Sequence, residues 1–135
     1  MTDALPNGAT SSPAYFNGAF YYAGSSDVVR KFTLSASGAT LANQSANTFG
    51  AGGATPVISA NGTNSAILWA LDTTASGGAV LHAYDPANLT TEFYNSSAKP
   101  SDALGATNKF AVPTVANGYV YVGTNGGLAI YGLLP

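Results

Sequence analysis

The stretch Val112-Pro113-Thr114-Val115-Ala116-Asn117-Gly118-Tyr119-Val120-Tyr121-Val122-Gly123 decides the fold, because two variants of it occur earlier in the chain. The first variant is Ser12–Gly24, and the second is Thr55–Gly62 followed by the apolar run Ile67–Asp72. In each copy a proline opens a short apolar run, Asn-Gly follows four or five positions later, and a second apolar run comes next. Proline is tolerated at the first residue of a strand, and Asn-Gly favours the two positive-φ residues of a type I′ turn. Each copy therefore predicts a β-hairpin.

The hairpins are followed by further strand-like runs. The middle copy has Asn61-Gly62-Thr63-Asn64-Ser65 where the other two have Asn-Gly alone, so we expect a longer turn there. A third run follows each hairpin after a small polar turn: Val28–Leu34, Ala79–Asp85 and Gly127–Gly132. A fourth run is present in the second unit at Thr90–Asn95 and, more weakly, in the first unit between Thr40 and Asn47. The pattern predicts an all-β chain.

The repeat predicts a single propeller-like domain over residues 1–135, with blade units at about 12–49, 55–97 and 110–134. Three to four antiparallel strands per unit match the period of β-propeller blades. We therefore expect a propeller-type array of about three four-stranded blades, of which the last is incomplete. A short strand over residues 2–5 is available to complete the last blade, either of its own chain or of another copy. Because closed rings have about four to eight blades, we expect the array to meet further copies or to be an arc of a longer propeller.

Composition excludes several classes of function. Lys and Arg number only 4 in 135 residues, and the net charge is −2, so the phosphate-neutralising surface of a nucleic-acid-binding protein is not expected. No window approaches the roughly 20 apolar residues of a membrane span. The chain has no cysteine, which rules out disulfides and thiolate chemistry. The Ser, Thr, Asn and Gly bias favours an extracellular or periplasmic location. Four Asn-x-Ser/Thr triplets leave glycan attachment open: Asn43, Asn61, Asn88 and Asn95.

Three segments resemble the pyrroloquinoline-quinone-like β-propeller repeats: Thr55–Gly62, Leu81–Tyr94 and Val112–Gly123. More narrowly, residues 5 to 134 are similar to the C-terminal blades of large secreted bacterial propeller proteins of this quinoprotein-like kind. The resemblance implies a propeller fold, but such repeats occur both in dehydrogenases and in scaffolds without a cofactor. The dehydrogenases place calcium, acidic ligands and a vicinal disulfide at the ring centre. Because this chain lacks cysteine and a matching acidic cluster, we carry over no catalytic residue, metal ligand or cofactor.

Individual chemical candidates favour structural roles. His82 is the only histidine and lies within a predicted strand, where we expect it to face solvent or bond to a neighbouring strand rather than act as a general base. Asp27, Asp72 and Asp85 each border a predicted strand and are expected to cap turns. The glycine-rich stretch Gly123–Gly127 lacks the lysine and helix of a phosphate-binding loop and predicts a hairpin turn.

These patterns favour a non-catalytic structural or protein-interaction module that self-associates into an oligomer or filament. Unpaired strand edges and a surface of low charge permit such pairing. The alternatives are an arc of a quinoprotein-type dehydrogenase and a carbohydrate-binding module that uses exposed tyrosines. We expect no nucleic-acid partner and no membrane span. The predicted interface residues are Thr2, Ala4, Leu5, Tyr15, Tyr22, Tyr119, Tyr121 and Tyr131.

Overall fold

The computed structural model describes residues 5–8 and 10–132, and in that part of the chain eleven strands form three antiparallel sheets. The all-β prediction is therefore confirmed. Sheet 1 contains β1 (Ala14–Phe16), β2 (Ala19–Ala23), β3 (Val28–Ser35) and β4 (Gly38–Thr48). Sheet 2 contains β5 (Val57–Asn61), β6 (Asn64–Asp72), β7 (Val80–Tyr84) and β8 (Glu92–Asn95). Sheet 3 contains β9 (Thr114–Ala116), β10 (Tyr119–Thr124) and β11 (Gly127–Tyr131).

The first hairpins of sheets 1 and 3 have the turn that their Asn-Gly pairs predict. Asn17 and Gly18 have φ values of 45° and 77°, and Asn117 and Gly118 have φ values of 52° and 79°. Two consecutive positive φ angles match the right-handed twist of the flanking strands. The turn between β10 and β11 is likewise the hairpin turn expected of Gly123–Gly127.

The middle hairpin differs from its prediction. The expected longer turn is wrong, because Asn61 pairs with Asn64 and only two residues lie between β5 and β6. The extra residues lengthen the strands instead, and a register shift between Ser59 and Asn61 accommodates the odd residue. β-bulges absorb one residue without opening the turn.

The three sheets lie side by side in chain order. β1 contacts β5, and β5 contacts β9, so the first strand of each sheet is the one that meets the next sheet. One core lies between sheets 1 and 2 and includes Tyr21, Leu68 and Tyr84. A second core lies between sheets 2 and 3 and includes Leu71 and Val122. Sheet 2 is therefore covered on both of its faces.

Outside the sheets, the chain is mostly turns and connections. The predicted N-terminal strand over residues 2–5 falls outside the described residues except for Leu5, which lies in a bend. The only helical element among the described residues is the 3-10 turn Pro100–Asp102. No helix in that part of the chain has the length and apolar character needed to cross a membrane.

Candidate functional site: the outward faces of sheets 1 and 3

The hairpin registers put the three sheets into correspondence. In each unit, the residue after the opening proline pairs with an aromatic residue on the second strand of the sheet. The pairs are Ala14 with Tyr21, Val57 with Trp69, and Thr114 with Tyr121. The three aromatic residues therefore hold one equivalent position, even though the sequences between them differ.

This aromatic position faces the sheet that follows in the chain. Tyr21 is buried in the core between sheets 1 and 2, and its hydroxyl donates a hydrogen bond of 2.9 Å to the carbonyl of Pro86 in sheet 2's loop. Burial, with a smaller effect of the nearby carboxylate of Asp85, raises the pKa of Tyr21. Trp69 packs against the core between sheets 2 and 3. Tyr121 is half-buried on the face of sheet 3 that points away from sheet 2, where the described chain has no further sheet.

A second equivalent position faces the preceding sheet. It is the fifth residue of each third strand: Phe32, Tyr84 and Tyr131. Tyr84 is buried in the core that sheets 1 and 2 share. Tyr131 packs between sheets 2 and 3, where its hydroxyl donates a hydrogen bond of 2.8 Å to the carbonyl of Asp102. Phe32 holds this position on sheet 1 and points away from sheet 2, stacked on Phe20 at 5.0 Å between ring centroids.

Sheet 3 thus has an open apolar surface, which we call the forward face. It consists of Tyr119, Tyr121, Leu128 and Ile130, because alternate residues of β10 and β11 point the other way into the core. Leu128 and Ile130 are 61% and 57% exposed. None of β9, β10 and β11 carries a charged residue. Large apolar side chains gathered on one exposed surface are typical of an interaction site.

Sheet 1 has the complementary open surface, which we call the rear face. Phe20 pairs with Tyr15 on one side and with Phe32 on the other, and Leu41 pairs with Phe32. Leu34 lies on the same face, two residues after Phe32. Tyr15 is 68% exposed, and both leucines are exposed as well. The sheet series therefore ends in an apolar face at each side.

Three of the predicted interface residues lie on these faces. Tyr15 is on the rear face, and Tyr119 and Tyr121 are on the forward face. The rings of Tyr119 and Tyr121 are neighbours, with 6.3 Å between their centroids. Their use as an interface stays a prediction, but their position leaves them available for one.

The other predicted interface residues have partners within the chain or lie outside the described part. Tyr22 is buried, and its hydroxyl donates 2.7 Å to the carbonyl of Ser11. Tyr131 is half-buried between sheets 2 and 3. Leu5 is half-buried near Gly24. Two residues lie outside the described ranges: Thr2 and Ala4.

The single histidine joins two strands and helps to join two sheets. His82 Nδ1 lies 2.6 Å from Glu92 Oε1, which also accepts a hydrogen bond of 3.1 Å from Asn47 of sheet 1. Asn47 Nδ2 donates 2.9 Å to the hydroxyl of Tyr84 as well, and burial raises the pKa of that phenol. The imidazole packs between the rings of Phe49 and Tyr84. The expectation that His82 bonds to a neighbouring strand is confirmed. Through Glu92 and Tyr84, these polar side chains also link sheet 2 to Asn47 of sheet 1.

Two of the three aspartates cap turns as expected. Asp72 Oδ1 and Asp85 Oδ1 each accept the backbone N–H two residues further on, at 2.9 Å and 2.7 Å. Asp27 instead forms an ion pair with Arg30, at 2.7 Å from Nε and 2.8 Å from the second guanidinium nitrogen. The hydrogen bonds from Arg30 hold the pKa of the Asp27 carboxyl below its usual range. Within residues 5–8 and 10–132, no three His, Asp or Glu side chains cluster as metal ligands would.

A shallow groove of about 430 Å³ lies between sheets 1 and 2. Phe16 and Lys31 line one wall, and Asp85 and Phe93 line the other. The Lys31 ammonium donates a hydrogen bond of 3.1 Å to the carbonyl of Ala87 across the groove. This hydrogen bond joins sheet 1 to the loop of sheet 2.

The chain matches no protein family, no curated protein and no solved structure. The two apolar faces are therefore the features of the described chain that bear on its function. The sequence predicted the tyrosines of the forward face. It did not predict Leu128 and Ile130 of the same face, or Leu34 and Leu41 of the rear face. Alternation within the short run Gly127–Tyr131 is the signal that could have identified the first two.

Proposed function

We propose that this chain is a non-catalytic structural or protein-interaction module of the β-propeller type, which self-associates into an oligomer or filament. The observation that carries the proposal is the pair of open apolar faces. Each face contains the position through which the sheets join one another within the chain: Tyr121 on the forward face and Phe32, which is 2% exposed, on the rear face.

Burial of these faces is the physical driving force. Removing a Leu, Ile or Phe side chain from water contributes about 1.5 to 3 kcal/mol. The forward face offers Leu128 and Ile130 at more than half exposure, beside two tyrosines. With only 7% of its residues charged, the chain has little electrostatic repulsion to oppose association. The hydroxyl-rich composition fits the extracellular or periplasmic location that we propose with it.

The free edge of sheet 3 adds a second contact. Sheets 1 and 2 have a fourth strand outside the third, whereas no described strand pairs with the far side of β11. We place the strand over residues 2–5 of a neighbouring copy at this edge. Strand addition would satisfy the unpaired backbone groups of β11 in the same way that β4 and β8 satisfy β3 and β7.

The test is light scattering across a concentration series of the whole chain. A defined oligomer or a growing filament is expected, and a 13.5 kDa particle at high concentration would overturn the proposal. The two alternative functions have their own readouts. A quinone and calcium titration followed by absorbance tests the dehydrogenase arc, and a glycan array tests carbohydrate binding.

A further inference from the structure

The connection between sheets 1 and 2 lies between two turns. The backbone N–H of Ser26, in the β2–β3 turn, donates a hydrogen bond of 3.0 Å to the carbonyl of Gly50. On its other side Gly50 contacts Thr74, in the turn between β6 and β7, so closely that a Cβ at Gly50 would overlap the threonine side chain. This linker is thus held between the turn of the sheet it leaves and the turn of the sheet it enters.

The connection between sheets 2 and 3 repeats the arrangement. The N–H of Ala79, at the end of the β6–β7 turn, donates 3.2 Å to the carbonyl of Gly105. The N–H of Asn125, in the β10–β11 turn, donates a hydrogen bond of 2.9 Å to the carbonyl of Ala106. Two adjacent linker carbonyls therefore bond to the turns of two successive sheets.

The segment Leu5–Gly8 occupies the same place in front of sheet 1. The N–H of Ser25, in the β2–β3 turn, donates 3.2 Å to the carbonyl of Gly8, as Asn125 does to Ala106. Gly24 approaches the segment so closely that a Cβ there would lie 2.9 Å from the Gly8 oxygen. No turn of a preceding sheet covers the other side of this segment within the described chain. At the opposite end of the series, no described linker leaves the β10–β11 turn.

We propose that the Leu5–Gly8 segment of one copy is held against the β10–β11 turn of a second copy, which places the forward face of that second copy on the rear face of the first. This inference rests on the proposed self-association and specifies its polarity as head to tail. A head-to-tail contact uses two different surfaces, so it closes into a ring or propagates as a filament.

The correspondence predicts a particular hydrogen bond between copies. β11 begins at Gly127 as β7 begins at Val80, so Gly126 corresponds to Ala79. Asn7 precedes Gly8 as Gly105 precedes Ala106. The bond from Ala79 N–H to the Gly105 carbonyl is therefore repeated between copies, from Gly126 N–H to the Asn7 carbonyl.

A second copy of this chain can make both contacts, because every copy has a Leu5–Gly8 segment and a β10–β11 turn, and also a rear face and a forward face. The forward face presents Tyr121 where Tyr21 and Trp69 join the following sheet. On the rear face, Phe32 holds the position through which Tyr84 and Tyr131 join the preceding sheet. Phe32 itself is 2% exposed, so the contact is made by the exposed side chains on that face: Tyr15, Leu34 and Leu41. A second copy thus continues the series that sheets 1 to 3 begin.

Engineered disulfides test this polarity cleanly, because the chain has no cysteine of its own. Asn7→Cys and Gly126→Cys are made as separate variants and mixed in equal amounts under mild oxidation. Asn7 is exposed and its side chain makes one long, exposed hydrogen bond of 3.5 Å, to the carbonyl of Ser26. A Cβ at Gly126 would have no heavy atom within 4 Å, so neither change should unfold the chain. A disulfide needs Cα atoms roughly 4.4–6.8 Å apart, and the predicted hydrogen bond from Gly126 N–H to the Asn7 carbonyl makes these two residues direct neighbours. A covalent dimer joining position 7 of one chain to position 126 of the other is expected, at least about tenfold over either variant alone.

The control mixes Gly126→Cys with Ser37→Cys, an exposed residue in the β3–β4 turn at the opposite end of sheet 1. This pair should not cross-link. Dimers of Asn7→Cys with itself, or an oligomer that shows no link between positions 7 and 126, would overturn the head-to-tail arrangement while leaving self-association intact. Light scattering that shows only monomer, with no cross-link, would overturn the proposed function as well.

Discussion

The central sheet and the two flanking sheets are built from one repeated unit but differ in what covers them. In sheet 2, Leu68 and Leu71 lie on opposite faces of β6 and are 0% and 1% exposed. In sheet 3, Leu128 is 61% exposed, although it holds the position of the buried Leu81. The comparison shows that this unit has two faces that both require a neighbour. A sheet at either end of the series keeps one of them open.

The largest expected effect separates these two kinds of leucine. Leu68→Ala should lower the free energy of unfolding by about 3 kcal/mol, because it leaves a cavity between sheets 1 and 2. Leu128→Ala should change it by less than about 0.5 kcal/mol when measured on the monomer, at low concentration. Urea denaturation followed by tryptophan fluorescence measures both. Equal losses for the two variants would show that the forward face is already covered within one chain.

Charge on the forward face should break association without unfolding the chain. Ile130→Lys puts an ammonium group where the proposed contact excludes water, and we expect about 30-fold weaker association, equivalent to about 2 kcal/mol. Sedimentation velocity over a dilution series measures the effect. The matched control, Ser37→Lys, adds the same charge at an exposed turn residue that belongs to neither face and should associate as the unmodified chain does. Loss of association in both variants would point to net charge rather than to the forward face.

A pair of buried serines tests the equivalence of sheets 1 and 2. Ser45 Oγ accepts the N–H of Val29, and Ser96 Oγ accepts the N–H of Leu81, each at 3.0 Å. Replacing either serine by alanine leaves a buried N–H without a partner, so each change should cost about 1 to 2 kcal/mol of stability. Thermal or urea unfolding of both variants should give losses of similar size. A large loss in one and none in the other would contradict the proposed correspondence of the third and fourth strands.

The smallest expected effect concerns the ion pair beside the rear face. Asp27→Asn should destabilise the chain by about 0.5 to 1 kcal/mol at pH 7, because the Arg30 guanidinium loses its charged partner. The folded-state pKa of Asp27 is lowered, so the stabilisation is complete above the unfolded-state pKa of about 3.9. It is lost as the pH falls through the lower folded-state value. Unfolding curves of both proteins from pH 7 to pH 2 should therefore converge at the acid end. A gap that persists or widens there would show that the ion pair does not account for the difference.

Much of the strand order could be predicted from the sequence. Pro-apolar-Asn-Gly-apolar is a local signal, and it located the hairpins of all three sheets because turn chemistry and apolar runs act over a few residues. The longest strand, β4 (Gly38–Thr48), was recognised only as a weak run from Thr40 to Asn47. Its hydroxyl and amide residues lack clear alternation, and its pairing with β3 holds it in place.

The two faces could be predicted only in part, because which face of a sheet is covered depends on how the three sheets pack against one another. Tyr22 and Tyr121 look alike in sequence, but Tyr22 points to the Ser11 backbone and is buried. The same limit applies to the bridge from Asn47 to Tyr84 and Glu92, whereas Asp27 and Arg30 are only three residues apart. The contacts of Asn47 join two sheets, and no short sequence motif indicates them.

Concentration-dependent hydrogen exchange tests the central claim most directly, because it reports on the free edge of sheet 3 residue by residue. Some backbone N–H groups of β11 (Gly127–Tyr131) do not donate to a carbonyl of β10. We predict that these groups become protected from exchange as the protein concentration rises. Those on the outer edge of β8 (Glu92–Asn95) should keep the same exchange rate, since sheet 2 already has its fourth strand. Exchange of β11 that stays fast and unchanged over the whole concentration range would contradict the account.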